Sequence, residues 1–281
     1  MVNQNGKVLH ENDAHLSIRN RGYLYGDGLF ETIKAVNGKI IFWEDHYFRL
    51  MASMRILRME IPMNFSPEFL EQEITGLLEA KALLNKPVKI NINVHRKSGG
   101  MYLPEHREIE YMIRASEWEH PFYIFDETDC EVELFKDHFV NSGLLSTLKT
   151  NNKALHVLGS IFAEENGYDN CLLLNEKKSV IEGLNGNLFL VTGKTIKTPP
   201  LSEGCLNGIA RKKLIGILKK LPEFTLEEVP ISPFELQKAD ELFLTNVLLG
   251  IRSISKYRKK QFGNEVAKSL LAKLNASVRL G

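Results

Sequence analysis

The chain has 281 residues, 43% hydrophobic and 25% charged, enough to bury the core of a soluble globular protein with two ordinary domains. Thirty-six basic against thirty-five acidic residues leave a net charge of +1, without the basic excess of a nucleic-acid or membrane-surface binder. Three cysteines and eight histidines show no metal-ligand spacing, and no apolar stretch approaches the roughly 18 residues of a membrane span. The opening MVNQNGKVLHENDAHL lacks a signal-peptide core, so the expected location is the cytoplasm, with reduced thiols and no metal.

The first elements are a strand at 28–36, a turn at Gly38 and a strand at 39–42. A helix over 44–57 follows, with Phe48, Leu50, Met51, Met54 and Leu57 at helical spacing. Another helix spans 67–79. Strands follow at 87–94, with Val88, Ile90, Ile92 and Val94 on one face, and at 111–115. The polar, proline-terminated stretch 116–121 reads as a linker, giving an N-terminal domain 1–118 and a larger C-terminal domain 119–281. In the second, a helix at 153–165 stopped by Asn166-Gly167 precedes strands at 171–174, 180–182, 187–191 and 195–198. A helix from Asn207-Gly208 turns Ile209, Leu214, Ile215 and Leu218 inward. Strands at 242–245 and 250–254 then lead to an amphipathic helix at 265–274. The basic run 256–260 reads as a solvated turn between strands. The class is mixed α+β.

Three segments carry candidate chemistry. Lys149 sits where an apolar strand meets a helix; a desolvated lysine there becomes nucleophilic enough to condense with an aldehyde, although a snorkelling surface lysine fits the same pattern. Glu182, on an apolar strand, needs a partner: a pyridinium N–H, or the backbone amides of the turn at 183–186. The glycine turn 204–208 feeds a helix whose N-terminus suits a phosphate, or is an ordinary cap.

Taken in order, Leu148-Lys149-Thr150-Asn151-Asn152, Glu182-Gly183 with Asn187-Leu188-Phe189, Asn207-Gly208-Ile209 with Arg211, and Asp240-Glu241-Leu242-Phe243-Leu244-Thr245-Asn246 resemble the class IV aminotransferases. Arg21-Gly22-Tyr23-Leu24-Tyr25-Gly26-Asp27-Gly28-Leu29-Phe30-Glu31-Thr32 and His46 with Arg49-Leu50 resemble that family's first two motifs. The family comprises branched-chain aminotransferases, D-amino-acid aminotransferases and aminodeoxychorismate lyases. The resemblance implies the two-domain D-amino-acid aminotransferase-like fold (fold type IV), an active site between the domains, pyridoxal 5'-phosphate as cofactor, a small-molecule amine substrate and a homodimer. It makes Lys149 the covalent anchor and proton shuttle, and Glu182 the partner of the pyridine nitrogen. It gives the phosphate to Arg49, the amides of Ile209 and Ala210, and the Thr245-Asn246 turn.

Within the family, Ala210 and Asn246 stand where aminotransferases usually carry hydroxyl residues, and Ala154 stands where branched-chain enzymes show a tyrosine. These departures, with the loop Ser98-Gly99-Gly100-Met101-Tyr102, are similar to the aminodeoxychorismate lyases of folate synthesis, which release 4-aminobenzoate and pyruvate. Met101 replaces the arginine such a loop offers to a substrate carboxylate, which leaves Arg96, Lys97 or Arg252 as substitutes, with Phe30 and Tyr102 as further substrate contacts. The lyase is therefore the first expectation and a branched-chain or D-amino-acid aminotransferase the second. A non-catalytic cofactor-binding relative is third.

Overall fold

The computed structural model describes residues 1–280. They form two units, and the boundary falls at Pro121/Phe122. The first unit is Met1–Pro121 together with the short segment Lys149–Asn152; the second contains Phe122–Leu148 and everything described from Lys153 onward.

The first unit is a six-stranded antiparallel sheet, β2-β1-β6-β5-β3-β4, built from β1 (Val2–Gln4), β2 (Lys7–Leu9), β3 (Gly28–Val36), β4 (Lys39–Ile40), β5 (Pro87–Arg96) and β6 (Ile109–Glu117). A short helix, α1 (Arg21–Tyr25), precedes β3, and α2 (Trp43–Ile56) and α3 (Pro67–Ala80) follow β4. In β5 the residues Val88, Ile90, Ile92 and Val94 are buried, as strict alternation demands of a strand facing a core. Leu70, Ile74, Leu77 and Leu78 form the buried stripe of α3, which packs on β6 and β1, while α2 packs on β3. Ser66 caps α3 by accepting from Phe69 N, with Pro67 in the first turn. On α2 the expected inward Phe48 is 63% exposed, and His46 and Ser53 are buried instead.

The second unit is a ten-stranded mixed sheet. Its elements are β7 (Glu131–Val140), α4 (Ala154–Asn166), β8 (Asn170–Asn175), β9 (Val180–Gly183), β10 (Asn187–Thr192), β11 (Thr195–Thr198), α5 (Ile209–Leu218), β12 (Thr225–Glu228), α6 (Pro233–Leu236), β13 (Glu241–Asn246), β14 (Gly250–Ile254), β15 (Lys256–Tyr257), β16 (Lys260–Gln261) and α7 (Glu265–Leu280). Strand β10 pairs with β9, β11 and β13, and β7 runs parallel to both β8 and β15. Its core gathers Val132, Leu134, Leu172, Val180, Leu188, Leu190, Leu242 and Ile254. Buried Glu241 holds the start of α7, accepting from Val266 N at 2.8 Å and Ala267 N at 3.0 Å. Among the described residues no helix is long and apolar enough to cross a membrane.

One placement differs from the sequence reading, which put Lys149 in the C-terminal domain. Phe30 N donates to Lys149 O at 2.9 Å, and Asn151 N donates to Gly28 O at 3.0 Å, so the segment lies antiparallel against the start of β3. The close approach depends on glycine: a Cβ on Gly28 would stand 2.6 Å from Asn151 Nδ2, and one on Gly26 would stand 2.3 Å from Asn152 Oδ1.

Candidate active site

In the first unit, the backbone pairing just described holds Lys149 beside Phe30, and the Lys149 Nζ stands 4.3 Å from the centre of the Phe30 ring. Next along β3 is Glu31, buried to 2% exposure. A carboxylate so buried needs partners. Arg49 supplies two, Nε to Oε1 at 2.7 Å and Nη2 to Oε2 at 2.5 Å, and His46 Nδ1 supplies a third to Oε2 at 2.8 Å. Burial works to raise the Glu31 carboxyl, but the Arg49 charge and the His46 and Arg49 hydrogen bonds outweigh it and hold the group at about 2. For His46, burial is the largest influence and pushes the imidazole below its ordinary value, against the pull of Glu31 and with the charges of Arg49 and Lys149 adding to the depression. The Nδ1 proton is fixed by its carboxylate partner, since a carboxylate only accepts. His46 Nε2 is buried and has no hydrogen-bond partner among the described residues. Arg49 thus sits in a carboxylate–imidazole frame that the sequence motif alone did not disclose.

The loop expected to touch substrate is fixed by a second cluster in the same unit. Asp27 Oδ2 accepts from Arg21 Nε at 2.8 Å and from Arg96 Nε at 2.9 Å. Arg96 also donates to Leu57 O at 2.7 Å and Arg58 O at 3.1 Å, closing the end of α2. Its guanidinium is thus bonded to partners within the first unit. Arg21 Nη1 donates to the carbonyls of Gly99, Gly100 and Met101, which holds the loop by its backbone. Tyr102 is 88% exposed, its ring 5.8 Å from that of Tyr25.

In the second unit the sheet register aligns Glu182, Asn187 and Thr245 across β9, β10 and β13. Glu182 is buried, and its Oε2 accepts from Leu206 N at 2.9 Å and Asn187 Nδ2 at 3.4 Å. Asn187 Nδ2 also donates to Leu206 O at 2.8 Å, so the turn before α5 is tied to this carboxylate through both its amide and its carbonyl. Gly208 caps α5 without any side-chain hydrogen bond to the helix, so the first-turn amides, those of Ile209 and Ala210 among them, have no side-chain cap. Thr245 Oγ1 donates to Gly250 O at 2.7 Å, and Asn246 Oδ1 accepts from Leu248 N and Leu249 N; both side chains shape the turn between β13 and β14. Arg252 is bonded to Asp126, to Thr128 Oγ1 at 2.8 Å and to Asp129 O at 2.9 Å. Sequence reasoning passed over Lys153, whose ammonium pKa is lowered by burial against the raising influence of Glu182. It also passed over Glu31 as a partner of Arg49, although an acid in the apolar run of β3 is the kind of residue that demands one.

Known proteins resemble this chain over nearly its whole length. The pattern of the family described as "Amino-transferase class IV" matches residues 28–257. A putative branched-chain-amino-acid aminotransferase of Methanocaldococcus jannaschii is 29% identical over 96% of this chain and 92% of its own length. A D-alanine aminotransferase of Listeria monocytogenes is 26% identical over the same shares, and an aminodeoxychorismate lyase of Vibrio harveyi is 25% identical over 86% of this chain and 87% of its own. The crystal structure of the T.th. branched-chain amino acid aminotransferase with pyridoxamine 5'-phosphate superposes with a TM-score of 0.86 at 26% identity, over 99% of this chain and 94% of that one.

Proposed function

This chain belongs to the class IV aminotransferase family and is a pyridoxal-phosphate enzyme, and from that premise we propose that it is an aminotransferase of α-amino acids with apolar side chains. The observation that carries this reading is the commitment of Arg96 and Arg252 to structural partners. Aminodeoxychorismate presents two carboxylates to be gripped, an α-amino acid only one, and Phe30 gives the Lys149 amine an apolar neighbour.

The donor set fits the cofactor. Lys149 offers an amine to its aldehyde, and Glu182 offers a carboxylate to its ring N–H. Within the first unit Arg49 offers a cation to a phosphate, and within the second the uncapped start of α5 offers amides to one. When bound, the cofactor supplies a carbonyl for the substrate amine and a ring that accepts the electron pair left at the substrate's Cα. Lys149 would take the proton from the substrate's Cα, hold it and give it back. Thr245 and Asn246 keep the β13–β14 turn rigid; with their polar atoms engaged in the turn, their share of phosphate binding falls to the backbone.

A homodimer belongs to the same proposal. Helix α4 exposes Val157, Leu158 and Ile161 on one side, an apolar face that a second copy would cover. The lyase is the second reading, supported by Ala210 and Asn246 and by the Vibrio harveyi relative. The deciding experiment incubates cofactor-loaded protein with both enantiomers of leucine, valine and alanine plus 2-oxoglutarate, and separately with aminodeoxychorismate. Glutamate formed from the amino acids supports the aminotransferase; pyruvate and 4-aminobenzoate formed without a keto acid overturn it.

A further inference from the structure

We propose that Glu31 and His46 are positioning residues for the cofactor's phosphate: Glu31 fixes the plane of the Arg49 guanidinium, and His46 fixes Glu31. The inference rests on the reading that Arg49 receives the phosphate. Glu31 takes one whole edge of the guanidinium, Nε and Nη2, in the two-point geometry that leaves a planar fork no freedom to rotate. The opposite edge, Nη1, is thereby aimed by the protein rather than by the ligand. His46 Nδ1 donates to Oε2, the same oxygen that receives Nη2, and so stops the carboxylate from swinging about its own side-chain torsions. Glu31 and His46 are buried, at 2% and 1% exposure, so solvent supplies no competing partner for the carboxylate. The buried, unpartnered Nε2 of His46 marks the imidazole as there for its single Nδ1–H bond.

Charge alone predicts the reverse. A carboxylate beside the phosphate's cation opposes a dianion, so Glu31→Gln would tighten binding if electrostatics outweighed orientation. Positioning predicts that the same change weakens it, because the amide cannot accept N–H groups on both its terminal atoms.

The test compares the affinities of purified apoprotein for pyridoxal 5'-phosphate and for pyridoxal, whose ratio isolates the phosphate. Arg49→Ala should collapse that ratio; if it does not, the phosphate role of Arg49 fails and with it the proposed site. If Arg49→Ala collapses it, Glu31→Gln should lower the ratio by about tenfold to a hundredfold, the usual effect of removing an outer partner of a binding group. His46→Phe should do the same, and His46→Asn, which restores an N–H near the Nδ1 position, should recover most of it. A ratio unchanged or raised in folded Glu31→Gln apoprotein, judged by circular dichroism, overturns the inference. Loss of both affinities together does so as well, because it marks a merely structural role. If Glu31→Gln does not fold, the paired His46 variants decide by the same ratio.

Discussion

Gly208 is the residue whose replacement tests the arrangement around Glu182 in the second unit most sharply. Its backbone, at φ −72° and ψ 137°, lies in a region any residue adopts, so Gly208→Ala carries no conformational strain. The obstacle is space: the new Cβ would stand 2.0 Å from Asn187 Oδ1 and 3.2 Å from its Cγ. Asn187, 4% exposed, must swing aside, losing its 2.8 Å bond to Leu206 O and its contact with Glu182. A buried side-chain amide forced off its acceptors costs about 1–3 kcal/mol, and that is the expected loss on urea unfolding of the apoprotein, while Leu206 O keeps Gly208 N as a donor at 2.8 Å. Asn187→Ala should cost a similar amount. Because both changes break the same contacts, the double variant should lose little more than either single one, a coupling of about 1–2 kcal/mol. Additive losses would refute the reasoning, since Gly208→Ala would then act through something other than Asn187.

Other consequences follow from the same geometry. Arg49→Ala should weaken retention of the cofactor by about 1.5–3 kcal/mol, the range for charge-assisted bonds; a dialysed variant that stays fully yellow would count against it. Glu241→Ala removes the carboxylate holding Val266 N and Ala267 N and should lower stability by about 1–2 kcal/mol in urea titration, with α7 amides exchanging faster. Glu31 has a folded pKa of about 2 against an ordinary 4.5, so its contribution is complete above about pH 4.5 and is lost as pH falls towards 2. Buried His46, depressed below its ordinary 6.5, acts in the same sense, destabilising the fold as pH falls below that value. The first effect should vanish in Glu31→Gln and the second in His46→Asn, each read from unfolding free energy against pH.

How much of this was legible beforehand depends on the range of the interaction. Alternation made β5 plain, and the helical stripe made α3 plain, because both record which side chains face a core. Phe48 satisfied the same spacing yet faces outward, since periodicity finds a stripe but not its edges. Two-residue strands such as β15 and β16 leave no periodic trace. The candidate residues were named from their motifs, but their partners lie far off in sequence. Arg96 meets Asp27 across 69 positions, and Arg252 meets Thr128 across 124. Nothing local to either arginine announces that its charge is already used. Lys149 likewise reads as part of the domain that follows it, and only its pairing with β3 assigns it to the first unit.

The central claim is that Lys149, and no other lysine, carries the cofactor. Two other lysines have burial-lowered pKa values: Lys34, pulled down to about 8, and Lys153, near Glu182. Borohydride reduction of the cofactor-loaded protein, followed by peptide mass mapping, compares all three directly. The pyridoxyl mass is predicted on the peptide bearing Lys149, with none remaining in Lys149→Ala. A modified Lys34 or Lys153 in the unaltered protein, with Lys149 untouched, would contradict that claim.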